Sequence, residues 1–270
     1  MRNAICCLAA TLLLFLAALG SAEVLAALPG SWSIAVANDA GHVRLTVRTR
    51  ERLHGFHESA LEIDLAALGL TSSQLNSSTL RPLTFTLARE AGSFACTGSA
   101  GLGRGGGDYV FTPNETFLGK MRERGYAGLT SDQQLRAAVV DVTVGFVDRI
   151  AAAGYGRLAY DKLVAFRAIG VDDDYIRAIR MLLSGPLVSA SDMIALRALN
   201  VDVAYLSALA SVGYPHVSTQ EAVQLRALGI DAAYIKRVAT HGFSHLPIEQ
   251  LVRLKALNVI SERSQELAAT

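Results

Sequence analysis

Disulfides are the first thing this chain lacks. It has three cysteines in 270 residues, and two of them, Cys6 and Cys7, sit inside an N-terminal apolar run. Once that run is removed only Cys96 remains, which excludes a disulfide-stapled scaffold. An excess of either charge is lacking too. With 25 Lys+Arg against 24 Asp+Glu, the formal +1 leaves no field that would attract nucleic acid. Aromatics are sparse at 7%, with one tryptophan. What is plentiful is aliphatic character. Hydrophobic residues make up 51% and charged residues 18%, which excludes a disordered chain and supplies one large core or two ordinary ones.

The N-terminus reads as an address. Residues 1–22 carry Arg2, an apolar run from Ala4 to Leu19, and then Gly20-Ser21-Ala22. A charged start, a short apolar stretch and small residues before the cleavage point predict a secretory signal peptide cut after Ala22, with Ala27 as the second choice. The run falls short of the ~20 residues that span a bilayer. Retention as a membrane anchor is the rival reading and would be the only membrane contact. Cys6 and Cys7 open the run, where a lipid-modified cysteine would not be. Without residues 1–22 the basic and acidic residues balance, and the expected location is periplasmic or extracellular.

A repeat occupies the C-terminal half. Segments starting at Gly125, Gly154, Ser184, Gly213 and Gly242 align with a 29-residue period and one 30-residue step. One column reads Phe146, Tyr175, Tyr205, Tyr234. Another reads Phe166-Arg167-Ala168-Ile169-Gly170, Leu196-Arg197-Ala198-Leu199-Asn200, Leu225-Arg226-Ala227-Leu228-Gly229 and Leu254-Lys255-Ala256-Leu257-Asn258. Thr130, Ser189 and Ser218 stand as N-caps with Gln133, Asp192 and Glu221 three residues on, and Leu129, Leu158, Val188, Val217 and Leu246 precede the caps as staples. Gly170, Asn200, Gly229 and Asn258 end the first helix of each unit, since both types tolerate a left-handed backbone. Asp172, Asp202 and Asp231 cap the second helix, and Gly154, Gly213 and Gly242 end it. A single αα unit cannot bury its apolar face, so the units must stack. Ala168, Ala198, Ala227 and Ala256 are expected at close helix contacts. The tyrosine column, with Tyr126, Tyr155, Tyr214 and Phe243 at the unit starts, is expected in the inter-unit core. The first unit, with Ala137-Ala138-Val139-Val140-Asp141, and the last, with Arg263 in the tyrosine column and a polar tail, read as capping repeats.

From Ser31 to Pro113 the period changes to two. Val43, Leu45 and Val47 alternate with Arg44, Thr46 and Arg48; residues 83–87 and 108–112 read the same way, and Ser93 to Thr97 is a fourth candidate strand. The run Gly98 to Gly107 reads as a flexible hairpin loop. Asn114 caps a short helix with Phe117 and Met121 facing inward. The predicted fold class is therefore α+β. A signal peptide (1–22) precedes an antiparallel β-rich domain (31–113), a connecting helix (114–124) and an α-solenoid of about five αα-hairpin repeats (125–270).

The units GYGRLAYDKLVAFRAIGVDDDYIRAIRML and GYPHVSTQEAVQLRALGIDAAYIKRVATH resemble repeats of uncharacterised exported bacterial proteins, and those found downstream of antirepressor-type zinc peptidases of the β-lactam sensor family. The resemblance covers about residues 120–270. The peptidase is absent, since no His-Glu-x-x-His occurs. The resemblance implies an envelope-located bacterial accessory or sensing module and carries over no activity.

Chemistry is thinly marked, and no catalytic residue or cofactor is nominated. Gly101-Leu102-Gly103-Arg104-Gly105-Gly106 matches G-x-G-x-x-G, but a dinucleotide fingerprint must open a helix, and Asp108 to Thr112 reads as a strand. His54 and His57 lie three apart beside Glu58, and His216 and His245 share an offset in adjacent units with His241 close by. A zinc site needs three or four converging ligands, so His216, His241 and His245 are weak metal candidates and exposed turn histidines are the default. Cys96 reads as a buried strand residue. Asn76 and Asn114 match the glycosylation sequon, which a bacterial source would leave silent.

One charge recurs. Arg167, Arg197, Arg226 and Lys255 occupy the last turn of the first helix in four units and are expected along an outer ridge. There they complement the helix dipole and meet Asp172, Asp202 and Asp231, or else grip an anionic partner. The overall expectation is an exported, non-enzymatic interaction or scaffold protein. Its partner is a protein or an anionic envelope polymer rather than nucleic acid. The alternatives are a metal-dependent or hydrolytic envelope enzyme with its site in the β domain, through His54, His57 or the Gly98–Gly107 run, and a purely structural envelope protein.

Overall fold

The computed structural model describes residues 27–37, 41–51, 55–258 and 260. The expected signal peptide with Arg2, Cys6 and Cys7, the residue His54, and the C-terminal tail with Arg263 lie outside the described residues. The fold is α+β. Six strands, β1 (Leu28–Val36), β2 (His42–Glu51), β3 (Gly55–Asp64), β4 (Arg81–Arg89), β5 (Gly92–Gly101) and β6 (Arg104–Pro113), form one antiparallel sheet of order β3-β2-β1-β6-β5-β4. A 3₁₀ turn (Leu65–Leu68) and the short helix α1 (Ser72–Leu75) join β3 to β4.

The alternation read from sequence holds. Val43, Leu45 and Val47 on β2 and Leu83, Phe85 and Leu87 on β4 are buried, while Arg44, Thr84 and Thr86 are exposed. β1 and β4 are three strand spacings apart, about 14 Å on a flat sheet. Yet the Trp32 and Phe85 rings meet edge-on with centroids 4.9 Å apart. The Trp32 indole lies across β6 and β5, over the paired Gly107 and Gly98, and donates from Nε1 to the carbonyls of Thr97 (3.2 Å) and Asp108 (3.1 Å).

The glycine-rich run corrects the sequence reading. It is not a flexible loop: β5 continues to Gly101, β6 begins at Arg104, and the turn is Leu102-Gly103 alone, with φ of 59° and 78°. Two consecutive positive φ values make the tight hairpin turn whose twist matches the strands. Gly98 pairs with Gly107, and a Cβ on either would strike the backbone of the other strand. Glycine is there because two backbones approach too closely for a side chain. The G-x-G-x-x-G match straddles this turn and opens no helix.

Helix α2 (Glu115–Glu123) begins at Asn114, whose Oδ1 accepts from the Thr116 N–H at 2.9 Å, and it buries Phe117 and Met121. Among the described residues nine α-helices follow: α3 (Ser131–Val139), α4 (Val144–Ile150), α5 (Tyr160–Ala168), α6 (Asp173–Leu182), α7 (Ala190–Ala198), α8 (Val203–Ser211), α9 (Thr219–Ala227), α10 (Ala232–Thr240) and α11 (Ile248–Ala256). None of the described helices is long and apolar enough to cross a membrane.

The local signals act as read. Thr130, Ser189 and Ser218 accept from the N–H three residues on, as do Asp172, Asp202 and Asp231 at α6, α8 and α10. Gly170, Asn200, Gly229 and Asn258 are left-handed, with φ between 51° and 73°, and Asp141 takes the same conformation at 61° in the first unit. Equivalent helices pack on one another along the chain: α5 on α7, α7 on α9 and α9 on α11, with α6 on α8 and α8 on α10.

Two expectations about packing fail. Ala168, Ala198, Ala227 and Ala256 are exposed, because the last helical residue before the left-handed turn points away from the neighbouring unit. Phe243 is also exposed, at 47%, whereas Tyr126 is buried and Tyr155 and Tyr214 are half-buried. The Tyr155 and Tyr214 hydroxyls donate to the Val188 and Leu246 carbonyls of the next unit.

Sheet and helices are joined at the β4–β5 turn. The Glu90 carboxylate accepts from the Val144 N–H at the start of α4 (2.8 Å), and the Asn114 amide donates to the Glu90 carbonyl (2.9 Å). Gln134, fully buried on α3, places its amide nitrogen 3.2 Å from the carbonyls of Ala91 and Asn114. One turn of the sheet is thus held by three elements of the helical region.

Candidate functional site

The recurring cations lie in the seams between units rather than on a free outer ridge. Each reaches back to the unit before its own. The Arg197 Nε donates to the Ile169 carbonyl at 3.1 Å, and the guanidinium stacks 4.8 Å from the Tyr175 ring centroid. The Arg226 Nε donates to the Leu199 carbonyl at 3.0 Å and stacks 4.7 Å from the Tyr205 ring. The Lys255 Nζ sits 4.6 Å from the Tyr234 ring. At the first rung, the Arg167 Nε donates to the Asp141 carbonyl (3.0 Å), its Nη2 to the Asp141 carboxylate (3.2 Å), and Phe146 replaces the tyrosine at 5.7 Å. A cation against the final carbonyls of a helix is favoured by the local dipole, and a desolvated cation–π contact adds about 1–2 kcal/mol.

The same tyrosines tie forward. The Tyr175 hydroxyl donates to the Val201 carbonyl and the Tyr205 hydroxyl to the Ile230 carbonyl, both at 2.7 Å. Burial pushes both phenols up to about 12, against the partial opposition of Arg197 and Arg226. The Tyr234 hydroxyl, buried in the last of these seams, has no partner among the described residues. The expected pairing of the cations with Asp172, Asp202 and Asp231 is not made among the described residues. Those carboxylates are engaged as N-caps, accepting from the Tyr175, Tyr205 and Tyr234 N–H groups at 2.7–2.8 Å.

The seam leaves a specific edge free. Among the described residues, no hydrogen bond or ion pair engages the Nη1 and Nη2 groups of Arg197 and Arg226 or the Lys255 ammonium. All three residues are half-buried. Beside them run the exposed alanines, then Ile169 and Leu199, half-buried, and Leu228 and Leu257, 36% and 74% exposed. The result is a strip of fixed cations, small side chains and exposed aliphatics along successive units.

The strip begins at a groove of about 490 Å³ between β3 and the first helices, bordered by Ala60, Glu62, Arg89, Asp141, Arg167 and Ala168. A second groove of about 510 Å³ lies between α4 and α6, where Arg149, Arg177 and Arg180 surround Asp173. Sequence reading missed this cluster. Its signal was an Arg-to-Asp spacing that recurs: Arg124 pairs with Asp148, Arg136 with Asp161 and Arg149 with Asp173. The hydrogen bond from Arg124 holds the Asp148 carboxyl below its ordinary value.

Among the described residues, the other candidates are not gathered into a site. No group of three His, Cys, Asp or Glu residues able to hold a metal forms among the described residues. His216 and His245 occupy left-handed turn positions with φ of 54° and 56°, and the His241 Nδ1 lies 2.9 Å from the Arg237 carbonyl. His57 lies on β3, opposite Thr49. Cys96 is buried on β5, and burial pushes its thiol up to about 12, the reverse of what an activated nucleophile needs. No family model, no curated protein and no solved structure matches the chain.

Proposed function

We propose that this is an exported, non-enzymatic interaction protein of the bacterial cell envelope, and that its stacked units form a solenoid whose surface binds a partner. The observation that carries this reading is the strip. Two successive seams hold a guanidinium by its Nε and a tyrosine ring while Nη1 and Nη2 make no hydrogen bond or ion pair among the described residues. In a third the Lys255 ammonium rests on the Tyr234 ring with no hydrogen bond or ion pair among the described residues. At the first seam, by contrast, Asp141 engages Nη2 of Arg167 as well as Nε. The N-terminal address and the resemblance of the units to repeats of exported bacterial proteins support the location.

Two measurements test it. A reporter fused to residues 1–30 is exported, and a mature chain still beginning at Met1 would remove the compartment from the proposal. Immobilised chain from residue 23 onward captures a discrete, saturable partner from envelope extract. Capture unaffected by crowding the strip with Ala198→Glu and Ala227→Glu would move the binding surface elsewhere on the array.

A further inference from the structure

We infer that the strip binds an extended acidic segment of a partner protein, with a carboxylate at about every third residue. This rests on the reading of the repeats as a binding surface and specifies its ligand. Equivalent helices pack directly on one another, and packed helix axes lie about 8–10 Å apart, so the cations recur at about 10 Å. A strand-like chain rises about 3.3 Å per residue, so three residues cover one repeat. Arg167 is already ion-paired with Asp141, which it shares with Arg89. Arg197, Arg226 and Lys255 are the open rungs and match acids at positions i, i+3 and i+6.

The donor geometry favours carboxylates. With Nε committed to a carbonyl and the plane stacked on a tyrosine, each arginine presents Nη1 and Nη2 as a fork, the edge that pairs bidentately with a carboxylate. The fork is immobilised before the partner arrives, which lowers the ordering cost of binding. The exposed Ala198 and Ala227 leave room for a partner backbone, and Leu228 and Leu257 offer it apolar contact.

The surroundings disfavour a dense polyanion. Asp202 and Asp231 are exposed carboxylates at the starts of α8 and α10, the helices that follow Arg197 and Arg226. A polymer charged at every unit would set charges against these carboxylates, whereas acids spaced by three residues meet only the rungs.

The experiment is fluorescence anisotropy with the exported chain and three probes. These are a capped seven-residue peptide with Glu at positions 1, 4 and 7, a peptide of the same composition with its Glu contiguous, and polyphosphate. The spaced peptide binds about tenfold or more tighter than the contiguous one, and weakens about tenfold between about 50 and about 300 mM salt. Arg197→Gln with Arg226→Gln removes that preference. Because this pair also loosens the seams, the exposed Ala198→Glu plus Ala227→Glu pair is the control, abolishing peptide binding at an unchanged melting temperature. Equal affinity for the two peptides, or tighter binding of polyphosphate, overturns the inference. So does failure of every probe. In each case, capture of an envelope partner by the wild-type chain leaves the broader proposal standing, and its absence removes both.

Discussion

Tyr205 has three partners: its ring carries the next unit's guanidinium, its hydroxyl donates to the next unit's main chain, and its N–H is taken by the capping aspartate. The roles separate by substitution at Tyr205. Tyr205→Phe loses the hydroxyl and leaves the Ile230 carbonyl unpaired, costing about 1 kcal/mol. Tyr205→Ala also removes a ring that is only 7% exposed and costs about 3–5 kcal/mol in a urea titration. A loss below about 1 kcal/mol for alanine would mean the ring is not a packing element. The buried Cys96 gives a second residue-scale prediction. Its thiol should resist alkylation at pH 8 in the folded chain and react once urea exposes it. The repetition of Tyr175, Tyr205 and Tyr234 made the column legible, since a position kept aromatic at one helical phase must face a neighbour. The direction of Arg197 and Arg226 was not legible. A basic residue in a helix reads as exposed, and only the geometry shows a seam where its stem is buried and its Nε satisfied.

At the scale of elements, the β5–β6 hairpin is the place where composition misleads. Glycine weakens strands, so Gly98 to Gly107 reads as a loop, and no propensity reveals that two backbones pass within a side chain's width. Gly107→Ala should destabilise the sheet by about 3 kcal/mol, because the added methyl meets main chain rather than a mobile side chain. At the tip the direction reverses. Leu102 holds a positive φ that costs an ordinary residue about 1–2 kcal/mol, and Leu102→Asn should recover part of it as a higher melting temperature. The helical elements were far more legible, because Ser189, Asp202 and Asn200 each act through their own few neighbours. The exposed alanines were misread for a geometric reason. Ala198 ends its helix, and the turn that follows carries it out of the packed face.

For the molecule as a whole, the tyrosines set an alkaline limit. In the folded chain Tyr155, Tyr175 and Tyr205 are pushed from 10.0 to about 12 by burial. The folded state therefore holds these protons more tightly than the unfolded one. Their contribution is complete below pH 10 and is lost as the pH rises from there toward 12. Absorbance at the phenolate band should show these groups ionising together with loss of helical circular dichroism, above the range of free tyrosine. Independent titration near 10 with the helices intact would mean that the seams are wet. The join between sheet and helices was the least legible feature of all. Glu90 and Val144 lie far apart in sequence, and nothing in either residue's type announces that one accepts from the other.

The seams have a consequence for descent. Both ties across a seam end on main-chain carbonyls, Ile169 and Leu199 for the arginines, Val201 and Ile230 for the phenols. A carbonyl is supplied by whichever residue occupies the position, so beyond the aromatic ring under the cation these ties ask for no particular side chain in the neighbour. Copying or deleting the unit between these two seams in the gene would leave their carbonyl ties in place. Array length can thus drift between lineages while the joint itself stays the same, and the number of rungs offered to a partner would change with it.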